Sequence, residues 1–174
     1  LFVAAALFPG ATPIRLSLGE VWYGDGGDIL VDAHAWSSGL QFVLVSVDSN
    51  GNAALVTAEP RTCYVNAVSP SALSVVWQAQ EGEYDYWYWR RGMAAPKVLE
   101  GVPQSTQVSN PLRLASKGVG NFHLLGDDTD LLFMTQSFDV AHFFWLWELA
   151  RTRERELNLF DPDGDSVVKS VPLN

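Results

Sequence analysis

Cysteine is almost missing: Cys63 is the one thiol among 174 residues. That excludes an intrachain disulfide and a cysteine-built metal cage. Followed by Tyr64-Val65 in an apolar stretch, Cys63 reads as a small buried hydrophobe. A nucleophile would need a nearby His and an activated thiolate, and the sequence signals neither. Positive charge is also scarce, with 11 Lys plus Arg against 20 Asp plus Glu and a net charge of −9. Phosphate backbones attract basic surfaces, so direct nucleic-acid binding is not expected. The longest mixed run, Arg151-Thr152-Arg153-Glu154-Arg155-Glu156, nearly neutralises itself.

Long apolar runs are lacking as well. Leu1 to Phe8 gives eight apolar residues before Pro9-Gly10, with no basic residue ahead of them. This is too short to cross a bilayer, and no membrane insertion is expected. The chain starts without Met, which reads as a cleaved product or as a chain with residues ahead of it. No glycine-rich loop opens a helix, and no Gly-x-Ser-x-Gly elbow appears.

What the chain does have is aromatic and β-branched residues between closely spaced turns. Seven Trp, nine Phe and five Tyr supply a thick core, since each buried aromatic removes about 150–250 Å² from water. Turn residues recur at Gly24-Asp25-Gly26-Gly27, Asn50-Gly51-Asn52, Ser69-Pro70-Ser71, Gly92, Asn110-Pro111, Gly126-Asp127-Asp128 and Asp163-Gly164. That spacing leaves room for strands and few long helices. It predicts a single all-β domain over 1–174, an antiparallel β-sandwich.

Particular strands are expected. Leu40–Val47 is apolar at nearly every position and reads as buried on both faces. Asn50-Gly51 then supplies a tight hairpin into Ala53–Thr57. Leu73–Ala79 and Leu131–Phe138 are further strands. Tyr84–Arg90 places its tyrosines on one face and its tryptophans on the other. At least one of those faces must be core, and the other is expected to meet a neighbouring copy. His142–Leu157 fits a long strand in its aromatic half and a helix in its Glu/Ala/Arg half; strand is the reading taken. No repeat of fixed period is visible.

Three acidic groups invite chemistry. Asp161, Asp163 and Asp165 flank Pro162 and Gly164, and alternate carboxylates can wrap Ca²⁺. An EF-hand needs a bidentate Glu where this chain has Pro172, so a polar hairpin turn is expected instead. Asp25, Asp28 and Asp32, and Asp127, Asp128 and Asp130, could pair for acid–base work of the glycosidase kind, but read as solvated turn residues. His34, His123 and His142 do not fall at metal-ligand spacing. His34 reads as facing a core or an interface. No catalytic residue, metal ligand or cofactor is therefore assigned.

The order of these pieces resembles the picorna-like virus coat proteins. Leu7-Phe8-Pro9-Gly10-Ala11-Thr12-Pro13-Ile14-Arg15-Leu16-Ser17-Leu18 is similar to that family's early strand, Val102-Pro103-Gln104-Ser105 to its late valine-proline strand, and Gly126-Asp127-Asp128-Thr129-Asp130-Leu131-Leu132-Phe133 to the turn into its last strand. The resemblance implies a jelly roll, with 139–174 as a C-terminal extension or projection. It implies a structural subunit that self-assembles with other copies of itself or related coat subunits in a virion, with no active site. The competing expectation is a secreted, extracellular β-sandwich that binds carbohydrate or Ca²⁺ through the aromatic ladder or through Asp161, Asp163 and Asp165.

Overall fold

Short runs of β-branched and aromatic residues between turn residues favour a pleated, half-buried backbone, and the chain is built from such strands. The computed structural model describes residues 15–36, 40–59, 63–79, 85–103, 106–110, 113–126, 129–141 and 149–173. Its strands are β1 (Arg15–Tyr23), β2 (Ile29–Trp36), β3 (Leu40–Val47), β4 (Ala53–Glu59), β5 (Cys63–Val68), β6 (Ser74–Ala79), β7 (Tyr86–Arg90) and β8 (Lys97–Val98). They continue with β9 (Thr106–Asn110), β10 (Arg113–Leu124), β11 (Leu131–Ala141), β12 (Leu149–Asp161) and β13 (Ser166–Pro172). The described part of 142–157 is strand, as expected; 142–148 lie outside the described residues.

The strands form three sheets, ordered β1-β2-β3-β4, β5-β6-β7-β8 and β9-β10-β11-β12-β13. Every pairing is antiparallel and joins strands that are neighbours in sequence. The expected antiparallel all-β class is thus what the chain adopts. The jelly-roll refinement finds no support in the strand order. Greek-key connections set non-consecutive strands side by side, whereas each sheet here is a sequential meander. Val102-Pro103 follows β8 in a turn rather than a strand, with the Val102 N–H donated to the Leu99 carbonyl. Residues 149–172 are two strands of the third sheet. The early-strand motif up to Ile14, and Gln104-Ser105 and Asp127-Asp128, lie outside the described residues.

Alternation along the strands sorts side chains into two shared cores. Between the first and second sheets lie Leu30, Phe42, Leu44 and Val56 from one side and Cys63, Val75, Trp77 and Trp89 from the other. Between the second and third lie Val76, Tyr86 and Tyr88 facing Phe122, Leu124, Leu131, Phe133 and Phe160. The second sheet is therefore buried on both faces. Neighbouring Val75, Val76 and Trp77 in β6 are all inaccessible although they point in alternate directions. The sheets thus stack face to face in three layers, and β10 passes alongside β5. The first two sheets are four-stranded and the third is five-stranded; consecutive four-stranded meanders packed face to face are how β-propeller blades are built.

The Leu40–Val47 run became β3, and Phe42 to Ser46 are all buried. Its double burial follows from Phe42 and Leu44 facing the second sheet while Val43 and Val45 form a small cluster with Ala33 on the opposite face. The β3–β4 turn closes on Gly51 at φ 85°. The Asp48 carboxylate accepts from the Asn50 and Asn52 N–H groups at 2.9 and 2.8 Å. Those bonds, led by the Asn52 side chain, hold Asp48 below its ordinary carboxylate value.

Candidate functional site

Charged turns fasten the three sheets at one end of the stack. The β7–β8 turn supplies two adjacent arginines that reach in opposite directions. Arg91 pairs with Asp28 in the β1–β2 turn and donates to the Val47 carbonyl at 3.2 Å. Arg90 pairs with Asp163 in the β12–β13 turn at 2.8 Å, and Lys97 Nζ donates to the Asp163 carbonyl at 3.1 Å. Asp165, at φ 49°, accepts the N–H groups of Glu100 and Gly101 at 3.1 and 3.2 Å.

These contacts account for the acidic turn that the sequence singles out. Asp161 accepts the Asp163 N–H at 2.9 Å, a local turn bond of the expected kind. Asp163 and Asp165 spend their carboxylates on the second sheet. Among the described residues no group of three or more His, Cys, Asp or Glu could hold a metal ion. Millimolar Ca²⁺ is therefore expected to leave Tm unchanged in a thermal melt. Asp165→Ala should cost about 1–2 kcal/mol, since it leaves two backbone donors to water and loses a charged acceptor. Urea unfolding checks this, and Asp165→Asn should recover much of the loss.

The other acidic candidates do not converge. Asp25 is exposed in the β1–β2 turn, Asp28 belongs to Arg91, and Asp32 sits under the irregular stretch of β1 between Leu18 and Val21. There Asp32 accepts the Glu20 N–H. Burial pushes its carboxyl above the ordinary value, against the lowering effects of that hydrogen bond and of His34. Asp130 is half-buried before β11, and its carbonyl accepts the Leu125 N–H at 2.9 Å. Asp127, Asp128 and His142 lie outside the described residues.

His34 lies edge-on to Phe42, with ring centroids 6.2 Å apart, and shares the β2 face that turns to the second sheet. His123 is exposed on β10. Cys63 is buried in the first core, in keeping with its reading as a small hydrophobe.

The aromatic ladder is core on both faces. Trp87 and Trp89 pack towards the first sheet, and Tyr86 and Tyr88 towards the third. The expectation that one face meets a neighbouring copy is thus corrected, because the third sheet of the same chain covers it. Tyr84 lies outside the described residues. Close approach of sheet to turn also explains Gly24, where a Cβ would land on the Ser71 carbonyl oxygen. Gly24→Ala should destabilise by about 1–3 kcal/mol through overpacking against backbone, readable as a lowered urea midpoint.

A cavity of about 310 Å³ opens at the edge of the second sheet, lined by Asp85, Tyr86, Val98, Leu99, Glu100 and Val102. It holds two carboxylates above an apolar floor and no arrangement of nucleophile and base.

The surfaces that sequence reasoning missed are the two end faces of the stack. On the third sheet, the face turned away from the second carries Leu132 beside Leu159, and a cross-strand row of Met134, Leu157 and Val171. On the first sheet, the far face carries the rows Tyr23–Ile29–Val47–Ala53 and Val21–Val31–Val45–Leu55. The rows of the first sheet contain no charge, whereas on the third sheet Lys169 stands opposite Leu159 in the same face. Tyr23, Val21, Leu55 and Val171 are exposed, Ile29, Val31, Val47, Leu132, Met134, Leu157 and Leu159 are half-buried, and Val45 is buried together with Ala33 and Val43 further along the first sheet. The signal was available in Leu131-Leu132-Phe133-Met134, a run as continuous as that of β3.

No family model matches the chain, and no curated protein matches it. Among solved structures, it is similar to the Pyrococcus horikoshii acylaminoacyl peptidase in its orthorhombic crystal form. The likeness has a TM-score of 0.55 at 8% identity, over 91% of this chain and 25% of the peptidase. The chain therefore spans a quarter of that protein's length, and the likeness is one of fold.

Proposed function

We propose that this chain is a non-catalytic structural module that works by stacking sheet on sheet, and that it associates with other copies through its end faces. The observation that carries this reading is a stack whose two internal interfaces are apolar sheet faces pressed together, with Val21, Tyr23, Leu55 and Val171 still exposed on its outer faces. Adjoining exposed apolar residues are characteristic of interaction sites. Isolated exposed apolar residues are common on any surface, whereas Val21 and Tyr23 adjoin one another on the same face of β1.

The peptidase likeness supports a scaffold reading, because it shows a comparable arrangement making up part of a much longer chain. A virus coat is one setting in which a self-assembling subunit of this kind would serve. A carbohydrate or Ca²⁺ module working through Tyr86–Trp89 or the Asp161–Asp165 turn would need them open, and both are engaged within the protein; the Phe143–Trp147 ladder lies outside the described residues.

Light scattering on the purified chain tests the reading. A mass above 19.1 kDa that rises with protein concentration is expected. A monomer at every concentration up to about 1 mM, weaker than any useful affinity, would overturn it.

A further inference from the structure

We infer that β13 is a docking edge for an extended segment of a partner protein, added to the third sheet as a further antiparallel strand with carboxylates at alternate positions on one face. The inference stands apart from association through the outer faces, because it concerns backbone at the rim of a sheet.

β13 is the last strand of the third sheet and, among the described residues, pairs with β12 alone. All seven of its residues are exposed. The Leu173 N–H is donated to the Arg155 carbonyl at 2.8 Å. Backbone direction alternates along an antiparallel ladder, so Val171 and Lys169, opposite Leu157 and Leu159, also turn their backbone groups towards β12. Ser170 and Pro172 turn theirs outward. Proline at 172 has no N–H to leave unpaired there, and Ser170 offers both a donor and an acceptor. Such an edge is a template for another strand. Its main-chain bonds supply affinity, and alternate side chains choose the partner.

The side chains here specify that choice. One face of the edge carries Lys169, Val171 and Leu173 at two-residue steps, with Arg155 opposite Leu173. Lys169 and Arg155 are exposed, and so are Val171 and Leu173. A cation, an apolar side chain and a second cation thus follow one another along one face. The complementary strand has a carboxylate, an apolar residue and a carboxylate at the same step. The opposite face offers no such attraction, since Ser170 Oγ donates to Asn158 Oδ1 at 2.6 Å and Glu156 stands opposite Pro172. In a chain of net charge −9, this basic rim is a local exception. Lys169 also weighs against a second copy as the occupant. β13 laid on β13 sets two lysines across one short ladder, where like charges repel.

The test is fluorescence anisotropy of the full chain with short labelled peptides in which glutamate, threonine, valine and threonine alternate. The glutamate peptide should bind, and binding should weaken as salt is raised, because the charges are exposed. The same peptide with lysine for glutamate should not bind. Lys169→Glu, shown to fold by far-ultraviolet circular dichroism and Tm, should weaken the glutamate peptide about tenfold, an attraction lost and a repulsion gained. The variant should also bind the lysine peptide better than the unmodified chain does. N-methylation of the threonines, whose N–H groups face β13 in this pairing, should abolish binding. N-methylation of the glutamates and valines should leave it intact.

Binding that survives methylation at either set would show charge adsorption without a ladder and overturn the inference. Equal binding of the glutamate and lysine peptides, or no binding of either up to about 1 mM, would overturn it as well. Tighter binding of a peptide with the β13 sequence would assign the edge to a second copy and overturn the acidic partner.

Discussion

Trp77→Ala is expected to lower the unfolding free energy by about 3–5 kcal/mol, the range for truncating a large buried aromatic. Trp77 is inaccessible at the centre of β6, between Leu44 and Phe42 of the first sheet and its own neighbours Val75 and Trp89. Its ring is stacked near Trp87, centroids 6.4 Å apart. Removing it opens a cavity in the layer that touches both others. With domain stabilities of about 5–15 kcal/mol, the variant should be partly unfolded at 37 °C.

Its indole N–H has no hydrogen-bond partner among the described residues. Trp77→Phe therefore loses volume but no bond, and should cost clearly less than the alanine change. Urea denaturation of the two variants checks both numbers. Equal losses would mean that a phenyl ring recovers none of the packing at this site.

The second large effect lies on the other side of the same sheet. Phe160→Ala should also cost about 3–5 kcal/mol. Phe160 is fully buried where β12 runs into its turn, 5.9 Å from Phe133 centroid to centroid, and Phe133 in turn lies 5.8 Å from Phe122. Truncation breaks this aromatic chain at its end nearest the Asp163 and Asp165 clasps. The loss should appear in the unfolding rate and the urea midpoint together. A cost below about 1 kcal/mol, typical of a surface change, would show that the third sheet is not packed on the second at this point.

Much of the local structure was legible in the sequence because single-strand patterns report burial directly. Leu40–Val47 has apolar residues on both faces, and both faces are covered. Tyr86, Trp87, Tyr88 and Trp89 alternate strictly, and their alternation separates two cores. Asp163-Gly164 was legible as a turn from its residue types, since Asp tolerates the left-handed backbone that Asp165 adopts.

The tertiary arrangement was not legible, for reasons visible in the outer hairpins. Those at β3–β4, β7–β8 and β12–β13 occupy equivalent places in their sheets, but Gly51, Gly92 and Asp165 supply their left-handed residues in different local sequences. The repeat is one of geometry, and no fixed spacing carries it. The third sheet hides it further by adding β9 and lengthening β10 to β12.

The coat-protein motifs illustrate the same limit. Val102-Pro103 has a strand-like composition, yet Val102 plugs the second core from a turn, because burial asks only for an apolar side chain. The arginine pair was passed over for a related reason. Arg90-Arg91 carries no motif, and its importance comes from acidic turns far away in the chain. Asp32 shows the pattern once more: it looked like one of three clustered carboxylates, and its partner is a backbone N–H on the adjacent strand.

The central claim is that the second sheet is the shared inner layer of a three-sheet stack, and native-state hydrogen exchange tests it most directly. Amides that open only on global unfolding mark the best-packed strands, and edge strands exchange sooner. The stack predicts the slowest exchange in β6 and β7, at the global unfolding free energy, and fast exchange along β13, which is exposed over its whole length. Exchange of β6 as fast as that of β13 would contradict the stack.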